Sequence, residues 1–358
     1  MAQRVRRMKN PQSKHPVTLH DVAKRVGVAH ITVSRALRHN PHVNEALRKR
    51  IEKAAEEMGY HPNPAAAALT HLRLTSKTKP IQAVLAWLNF WPDPKELRQH
   101  PLFAANWKGA LAAAEALGYR VEEFICGGKA LTAQKLKTIL VARGIQGVLL
   151  PPQRPPITRE DFDFDWSRFA VIRIGRSVPW PATHVVTHSQ AHDTLEACRR
   201  IQQKGYHRIG FVTVEIIRNN SLFAGGYLQA QSMAPKKDQL PILVLSERWT
   251  APTADVLEKL DAWMKKHRPD AILSTESNIK SLLAAASYRI PEDVGLAATS
   301  VSNSDADTGT FENPEEVGRI AVLNLIALIQ RNEFGLPEFE QDILIRGKWQ
   351  DGVSLPSR

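Results

Sequence analysis

The chain has 358 residues, 43% of them hydrophobic, and a formal charge of +12. That length allows two or three domains with proper cores, and the ordinary hydrophobic content excludes a chain disordered throughout. The charge is lopsided: residues 1–80 hold 16 Lys/Arg against 5 Asp/Glu, while the rest of the chain holds 32 against 31. A basic module on a near-neutral body predicts a polyanionic partner, nucleic acid ahead of an anionic membrane.

The opening stretch MAQRVRRMKNPQSKHP is basic without an apolar run, so it is read as a disordered tail over 1–16 and not as a secretory signal. The longest apolar stretch, IQAVLAWLNFW, is too short to span a bilayer. With only Cys126 and Cys198, no disulfide framework is implied, and a cytoplasmic, nucleoid-associated protein with no membrane partner is expected.

Residues 17–61 divide into three short helical patterns. Leu19, Val22, Ala23 and Val26 recur at helical spacing and make one apolar face, after which Gly27 supplies a sharp turn. In HITVSRALR, Val33, Ala36 and Leu37 share a face, while Ile31, Ser34, Arg35 and Arg38 point the opposite way. A third helix starts at Asn44, an N-cap, and runs through Leu47, Ile51, Ala54, Ala55 and Met58 to a C-cap at Gly59. Helix, glycine turn and helix, backed by a third helix, is the helix-turn-helix plan. Its outward face suits DNA: Arg35 can pair bidentately with guanine, Thr32 and Ser34 can reach phosphates, and Ile31 suits a thymine methyl. A small helical bundle with a merely solvated face is the bland alternative.

TLHDVAKRVGVAHITVSRALR, followed by NPHVNEALRKRIEKAAEEMGYHPNPAAAAL, resembles the lactose/purine-repressor family of bacterial regulators across roughly 55 residues without a gap. The resemblance implies that Thr18, Thr32, Ser34 and Asn44 grip the DNA backbone and that His30, Ile31 and Arg35 read bases. His20, Arg38 and His42 join the implied DNA contacts. It also implies that 62–79 form a hinge helix and linker, with Asn63, Ala66 and Leu69 on DNA and Leu69 wedged into the minor groove. The residues agree: Asn63 can cap, Pro64 suits a first helical position, and four alanines favour helix in a segment too short to hold one alone. Ala67 stands where the family often has arginine.

From residue 80 apolar runs alternate with amphipathic segments: IQAVLAWL, VEEFI, GVLLPP, FAVIRIG, HVVTH, RIGFVTV, PILVLS, DAILST and DVGLAAT read as strands, with helices between most of them. This alternation predicts parallel α/β sheets, and its length predicts two doubly wound lobes. The resemblance implies a periplasmic-binding-protein-like effector-binding and dimerisation domain over 80–358. Lobe 1 is expected at about 80–186 and 301–332, and lobe 2 at about 187–300 and 333–358.

Ligands of such folds sit at strand C-termini between the lobes. The candidates are Asn89, Phe90, Trp91, Phe103 and Arg176 from the first lobe, with His188, Asn220, Phe223, Glu276 and Ser300 from the second. The family often has Asp-Asn where this chain has Thr187-His188, arginine at Phe223, and an acid near Ser300–Val301. These departures fit a different ligand, a strongly altered sugar, or a body that has lost effector control.

His184, His188 and His192 are spaced four apart, but HVVTH reads as a strand, so one helix does not align them and no metal site is expected. GGKA lacks the upstream glycine of a phosphate loop, and EDFDFDW reads as an acidic loop with core aromatics. No cofactor and no enzyme activity are expected. The sequence predicts a homodimeric DNA-binding regulator, most simply a repressor, on a palindromic operator under a small-molecule effector. The competing readings are a sugar-type binding protein without a DNA role and a DNA-binding regulator with a degenerate sensor.

Overall fold

In the computed structural model, residues 19–37, 43–58, 83–126, 131–153, 159–163, 165–245 and 253–358 are described. The expectations on Thr18, Arg38, His42, Gly59, Asn63, Ala66, Leu69, the tail and the linker fall outside those residues. So do the side chains of His20, His30, Ile31, Ser34, Arg35 and Asn220. The chain divides into two units, residues 1–79 and 80–358.

The first unit is built on α1 (Leu19–Val26), α2 (His30–Leu37) and α3 (Glu45–Glu57). Val22, Val33, Ala36 and Ile51 are fully buried, with Ala23, Val26, Val43, Ala54 and Ala55 around them. The expected apolar faces thus close on one another. Gly27 takes a left-handed φ of +76°, where a Cβ would be strained whatever the free space around it. The amides of Gly27 and Val28 both donate to the carbonyl of Ala23, which ends α1 and turns the chain into α2. Asn44 caps α3, its side chain accepting from the amide of Ala46 at 2.8 Å. Arg50 reaches back to the carbonyl of Val26 at 2.5 Å and ties α3 to the end of α1.

The second unit holds two six-stranded sheets. The first comprises β1 (Ala83–Asn89), β2 (Tyr119–Ile125), β3 (Gly147–Leu150), β4 (Ala170–Ile174), β5 (His184–His188) and β11 (Asp342–Ile345). Its spatial order is β11-β5-β4-β3-β1-β2, and every pairing is parallel. The second comprises β6 (Ile209–Val214), β7 (Leu243–Leu245), β8 (Ala271–Ser274), β9 (Gly295–Ala298), β10 (Gly309–Phe311) and β12 (Lys348–Gln350). It runs β12-β10-β9-β8-β6-β7, parallel except where β12 meets β10. Both sheets reverse direction of growth beside their first strand, the doubly wound pattern that opens a crevice at the strand C-termini.

The helices between them are α4 (Pro94–Gln99), α5 (Pro101–Ala116), α6 (Ala133–Ala142), α7 (Gln190–Gln203), α8 (Glu215–Asn220), α9 (Phe223–Met233), α10 (Ala254–His267), α11 (Ile279–Ala285) and α12 (Pro314–Arg331). In the first lobe α5 packs on α12 at backbone distance: a Cβ on Gly109 would stand 1.8 Å from the Glu315 carbonyl, and one on Gly318 1.9 Å from that of Asn106. In the second, α7 and α9 meet as closely, through Gly226 against the carbonyl of Ala191.

The lobe boundaries differ from the expected ones. Residues 309–311 add β10 beside β9, so the second lobe runs past 300 to the start of α12. Residues 342–345 pair with β5, so the chain stays in the first lobe after α12 and leaves it only at 346–347. Strands of three and four residues carry too little pattern to assign their own sheet; pairing partners decide it. The chain therefore crosses between lobes after β5, between β10 and α12, and between β11 and β12. Among the described residues, no helix is long and apolar enough to cross a membrane.

Candidate functional sites: a helix-turn-helix face and an interlobe junction

In the first unit, burial of Val33 and Ala36 fixes which side of α2 faces inward. By helical periodicity positions 31 and 35 lie opposite them, with 34 on the same outer side. Thr32 is half-buried on the flank, while Asp21, Lys24, Arg25 and Asn44 are exposed. Asn44 spends its side-chain oxygen on the helix cap. The second helix packs against both the first and the third, as in a helix-turn-helix unit.

The candidates at the strand ends of the second unit separate into three groups. Asn89 is fully buried and committed within its lobe: its amide donates to the carbonyl of Pro94 and to Glu123, both at 3.0 Å, and its oxygen accepts from the Trp91 amide. Phe90 is buried against Phe162, with centroids 4.7 Å apart. The indole of Trp91 donates to the Pro152 carbonyl at 2.8 Å and meets the Phe103 ring edge-on at 5.7 Å. Phe103 in turn stacks on His100 at 4.1 Å.

Two more are held by partners nearby. Arg176, on the loop after β4, is ion-paired with Asp342 of β11. Glu276 is buried beyond β8, with its carboxylate accepting from the Thr275 hydroxyl at 3.1 Å and its amide donating to Ser274 Oγ at 3.0 Å. Asn220 closes α8.

The rest gather at the crossings. His188, the last residue of β5, brings its ring within 5.4 Å of Phe223, the first residue of α9. Burial pushes the His188 imidazole down to about 4, so it is uncharged near neutral pH. Ser300, after β9, donates to a carboxylate oxygen of Glu312.

Glu312 was invisible to sequence reading. It is fully buried just before α12, and burial raises its carboxyl, opposed by hydrogen bonds from Ser300 and Ser302. Asp193 was missed as well. It lies buried in α7 and accepts from the Gly347 amide at 3.1 Å in the last crossing. Its carboxyl is also raised by burial, against the Gly347 bond and nearby His192 and Arg346. The only signal was an acid on an apolar helix face, too common to single out. Gln190, buried at the start of α7, accepts from the Leu222 amide at 2.9 Å and fixes the approach to α9.

The three spaced histidines do not converge by helix geometry: His184 and His188 are in β5 and His192 is in α7. Nδ1 of His184 accepts from the Gln341 amide at 3.0 Å. Among the described residues, no group of three or more His, Cys, Asp or Glu could hold a metal ion. A concavity of about 480 Å³ lies at the opposite end of the second sheet, lined by His207, Arg208, Pro235, Lys237, Asp238 and Asp270. Arg208 there is spent on the carbonyls of Lys237, His267 and Arg268.

Residues 18–63 match the family model described as bacterial regulatory proteins, lacI family. The match lies within the segment that carries α1, α2 and α3. Beyond the family's DNA-binding segment, similarity runs nearly end to end at low identity. The HTH-type transcriptional regulator MalR of Streptococcus pneumoniae is 22% identical over 330 residues, covering 89% of this chain and 94% of that protein. Two solved structures share the fold. The lac repressor dimer bound to operator and the anti-inducer ONPF has a TM-score of 0.52 at 17% identity, covering 96% of this chain and 100% of that one. The transcriptional regulator CelR in complex with cellobiose has a TM-score of 0.51 at 18% identity, covering 94% and 99%.

Proposed function

We propose that this lacI-family chain is a sequence-specific, DNA-binding transcriptional repressor that acts as a dimer on a palindromic operator. A small-molecule effector held between the two lobes of its second domain controls it. The observation that carries the reading is the three-helix unit turned at Gly27 within the segment matched by the family model. Two such units in a two-fold dimer present two α2 helices to successive major grooves, which demands a near-palindromic site. The lac repressor relative is a dimer on its operator, and the CelR relative is a complex with a sugar.

The first unit supplies affinity through its basic charge and specificity through α2. The second supplies regulation, since a ligand gripped by both lobes favours one lobe arrangement over another and shifts the DNA-competent population by its differential affinity. Catalysis has no place in this scheme, and the protein works in the cytoplasm on the nucleoid.

Genome-wide mapping of bound DNA, followed by binding assays on the recovered sites with and without residues 1–79, tests the proposal. Sharp, symmetric sites whose affinity vanishes on truncation are the expected result. Unchanged DNA affinity after truncation would sink it.

A further inference from the structure

Three loops meet at the N-terminal ends of β6, β7 and β8, adjacent strands of the second sheet, opposite to the end where parallel α/β folds take ligands. They are residues 204–208, 234–239 and 265–270. Arg208 stitches them together. Its Nε donates to the carbonyl of Arg268 at 3.2 Å, and its two terminal nitrogens donate to the carbonyls of Lys237 and His267. The concavity of about 480 Å³ opens between these loops, with His207, Arg208 and Lys237 in its wall.

In a body whose charges otherwise balance, these loops carry seven Lys/Arg against two Asp. Lys204 pairs with Asp351 and Lys265 with Asp261. The other five, Arg208, Lys236, Lys237, Lys266 and Arg268, make no ion pair among the described residues. Asp270 is committed to the amides of His207 and Arg208, at 2.8 and 2.9 Å, and to Arg358 at 3.9 Å. Asp238 is thus left alone to oppose five cations. The excess is felt at His267, whose imidazole is held below its ordinary value by burial and then by the charges of Lys266 and Arg208. The dipole of α10 accounts for Lys265, Lys266 and His267 in its last turn. It does not account for Lys236 and Lys237, which lie in a separate three-residue turn. Nor does it account for Arg268, which holds a left-handed φ of +44° at a helix end where glycine would be free of strain.

We propose that this concavity is a second ligand site, separate from the interlobe one, which takes a small polyphosphate: a free anion or the phosphate chain of a nucleotide. Its volume lies within the range of small-molecule sites. Exposed lysines and arginines gain little from one charge in water, so a monoanion is not held there. A chain of phosphates meets several of the cations at once, and its oxygens suit both the ammonium groups and the N–H donors of a guanidinium. The proposal stands apart from the regulator reading, since none of these residues belongs to the helix-turn-helix unit or to the lobe crossings.

Isothermal titration of the full chain, at constant ionic strength and without magnesium, compares tripolyphosphate, ATP and acetate. NMR follows the imidazole rings of His207 and His267 in the same titrations, assigned through His207→Gln and His267→Gln. Tripolyphosphate should bind, shift both rings, and lose about fivefold or more in affinity in Lys236→Ala/Lys237→Ala and in Lys266→Ala/Arg268→Ala. These four side chains are exposed, so their loss leaves the fold in place. Lys236→Arg/Lys237→Arg, which keeps the charge, should retain the affinity. ATP binding tighter than tripolyphosphate assigns the phosphate chain to a nucleotide, and equal or weaker ATP binding assigns it to the free anion. Acetate binding as tightly as tripolyphosphate overturns the proposal, as do rings that stay unshifted or an affinity indifferent to both double alanine variants. Absence of binding by tripolyphosphate and ATP alike overturns it as well. So does a loss confined to Lys24→Ala/Arg25→Ala, which would place the anion on the basic first unit.

Discussion

The backbone amide of Gly347 donates to the buried carboxylate of Asp193 across 3.1 Å, joining two lobe crossings that lie 154 residues apart in sequence. Gly347 sits where no side chain fits: a Cβ there would stand 2.4 Å from Cγ2 of Thr310 and 3.1 Å from both Asp193 Oδ2 and the Phe311 carbonyl. The third crossing is thus packed onto β10 and α7 together. Gly347→Ala should destabilise the second unit by about 1–3 kcal/mol, the usual cost of overpacking. Urea unfolding followed by tryptophan fluorescence measures it, and a change below about 0.5 kcal/mol, the level of a surface substitution, would mean that the crossing is slack.

Glu312 makes stability depend on pH with an unusual sign. Its folded carboxyl is raised above the ordinary 4.5 by burial, so the folded state holds the proton more tightly than the unfolded state. Its contribution is therefore fully present below pH 4.5 and lost as pH climbs through the raised folded value. His188 has the opposite slope: its imidazole is pushed from 6.5 to about 4, so its contribution is full above 6.5 and lost as pH falls through 4. Glu312→Gln keeps an acceptor for Ser300 without the charge. The variant should gain on the wild type steadily as pH rises from 4 to 8, read from paired melting curves. Parallel curves would show that Glu312 titrates normally.

The contact between α5 and α12 sets the frame of the first lobe. Gly318→Ala drives a methyl into the Asn106 carbonyl at 1.9 Å, a clash with backbone that no rotamer relieves. Because α12 begins directly after the second crossing, forcing it off α5 also displaces Glu312. The expected loss is about 3 kcal/mol or more, above ordinary overpacking, since two helix backbones must separate. Expression at reduced temperature and a melting scan check it; a wild-type melting point would contradict the packing.

At Gly27 the strain is torsional. Nothing lies within 4 Å of where its Cβ would be, yet φ is +76°. Gly27→Ala should cost the helix-turn-helix unit about 1–2 kcal/mol from the left-handed backbone alone, and leave residues 80–358 untouched. Hydrogen exchange on α1 and α2 should speed up while the strands of both sheets keep their protection. Slower or equal exchange in α1 would show that the turn tolerates a side chain.

Much of this was legible in sequence because it depends on local periodicity. Val22, Ala23 and Val26 on one side of α1, and Asn44 before α3, declare their roles within one or two turns. The strand runs of the body did the same where they are buried on both faces, as in β3, β4, β6 and β8. What stayed hidden is set by pairing at long range. Whether residues 309–311 join one sheet or the other is decided by the Gly309 to Ala298 register, not by the composition of three residues. Asn89 stands as a ligand candidate at a strand end, yet its three hydrogen bonds are made to Pro94, Trp91 and Glu123, and the last of these lies 34 residues away in sequence. Glu312 and Asp193 have no motif around them; they become notable only once the crossings stack.

The sharpest test on DNA concerns Arg35, which the sequence proposes as a base-reading residue of α2. A guanidinium there matches the O6 and N7 acceptors of guanine in a bidentate pair, a contact worth about 1–3 kcal/mol of discrimination. Phosphate contacts, by contrast, add the same increment on every sequence and steepen the salt dependence. Arg35→Ala should therefore lose roughly 5- to 150-fold in affinity on the mapped operator and little on random duplex, and tolerate any base at one position per half-site. Arg35→Lys should recover only part of the loss, because a point charge cannot reproduce the planar fork. Measured across a salt series, equal weakening on specific and random DNA would place Arg35 on the backbone and leave sequence reading to its neighbours on α2.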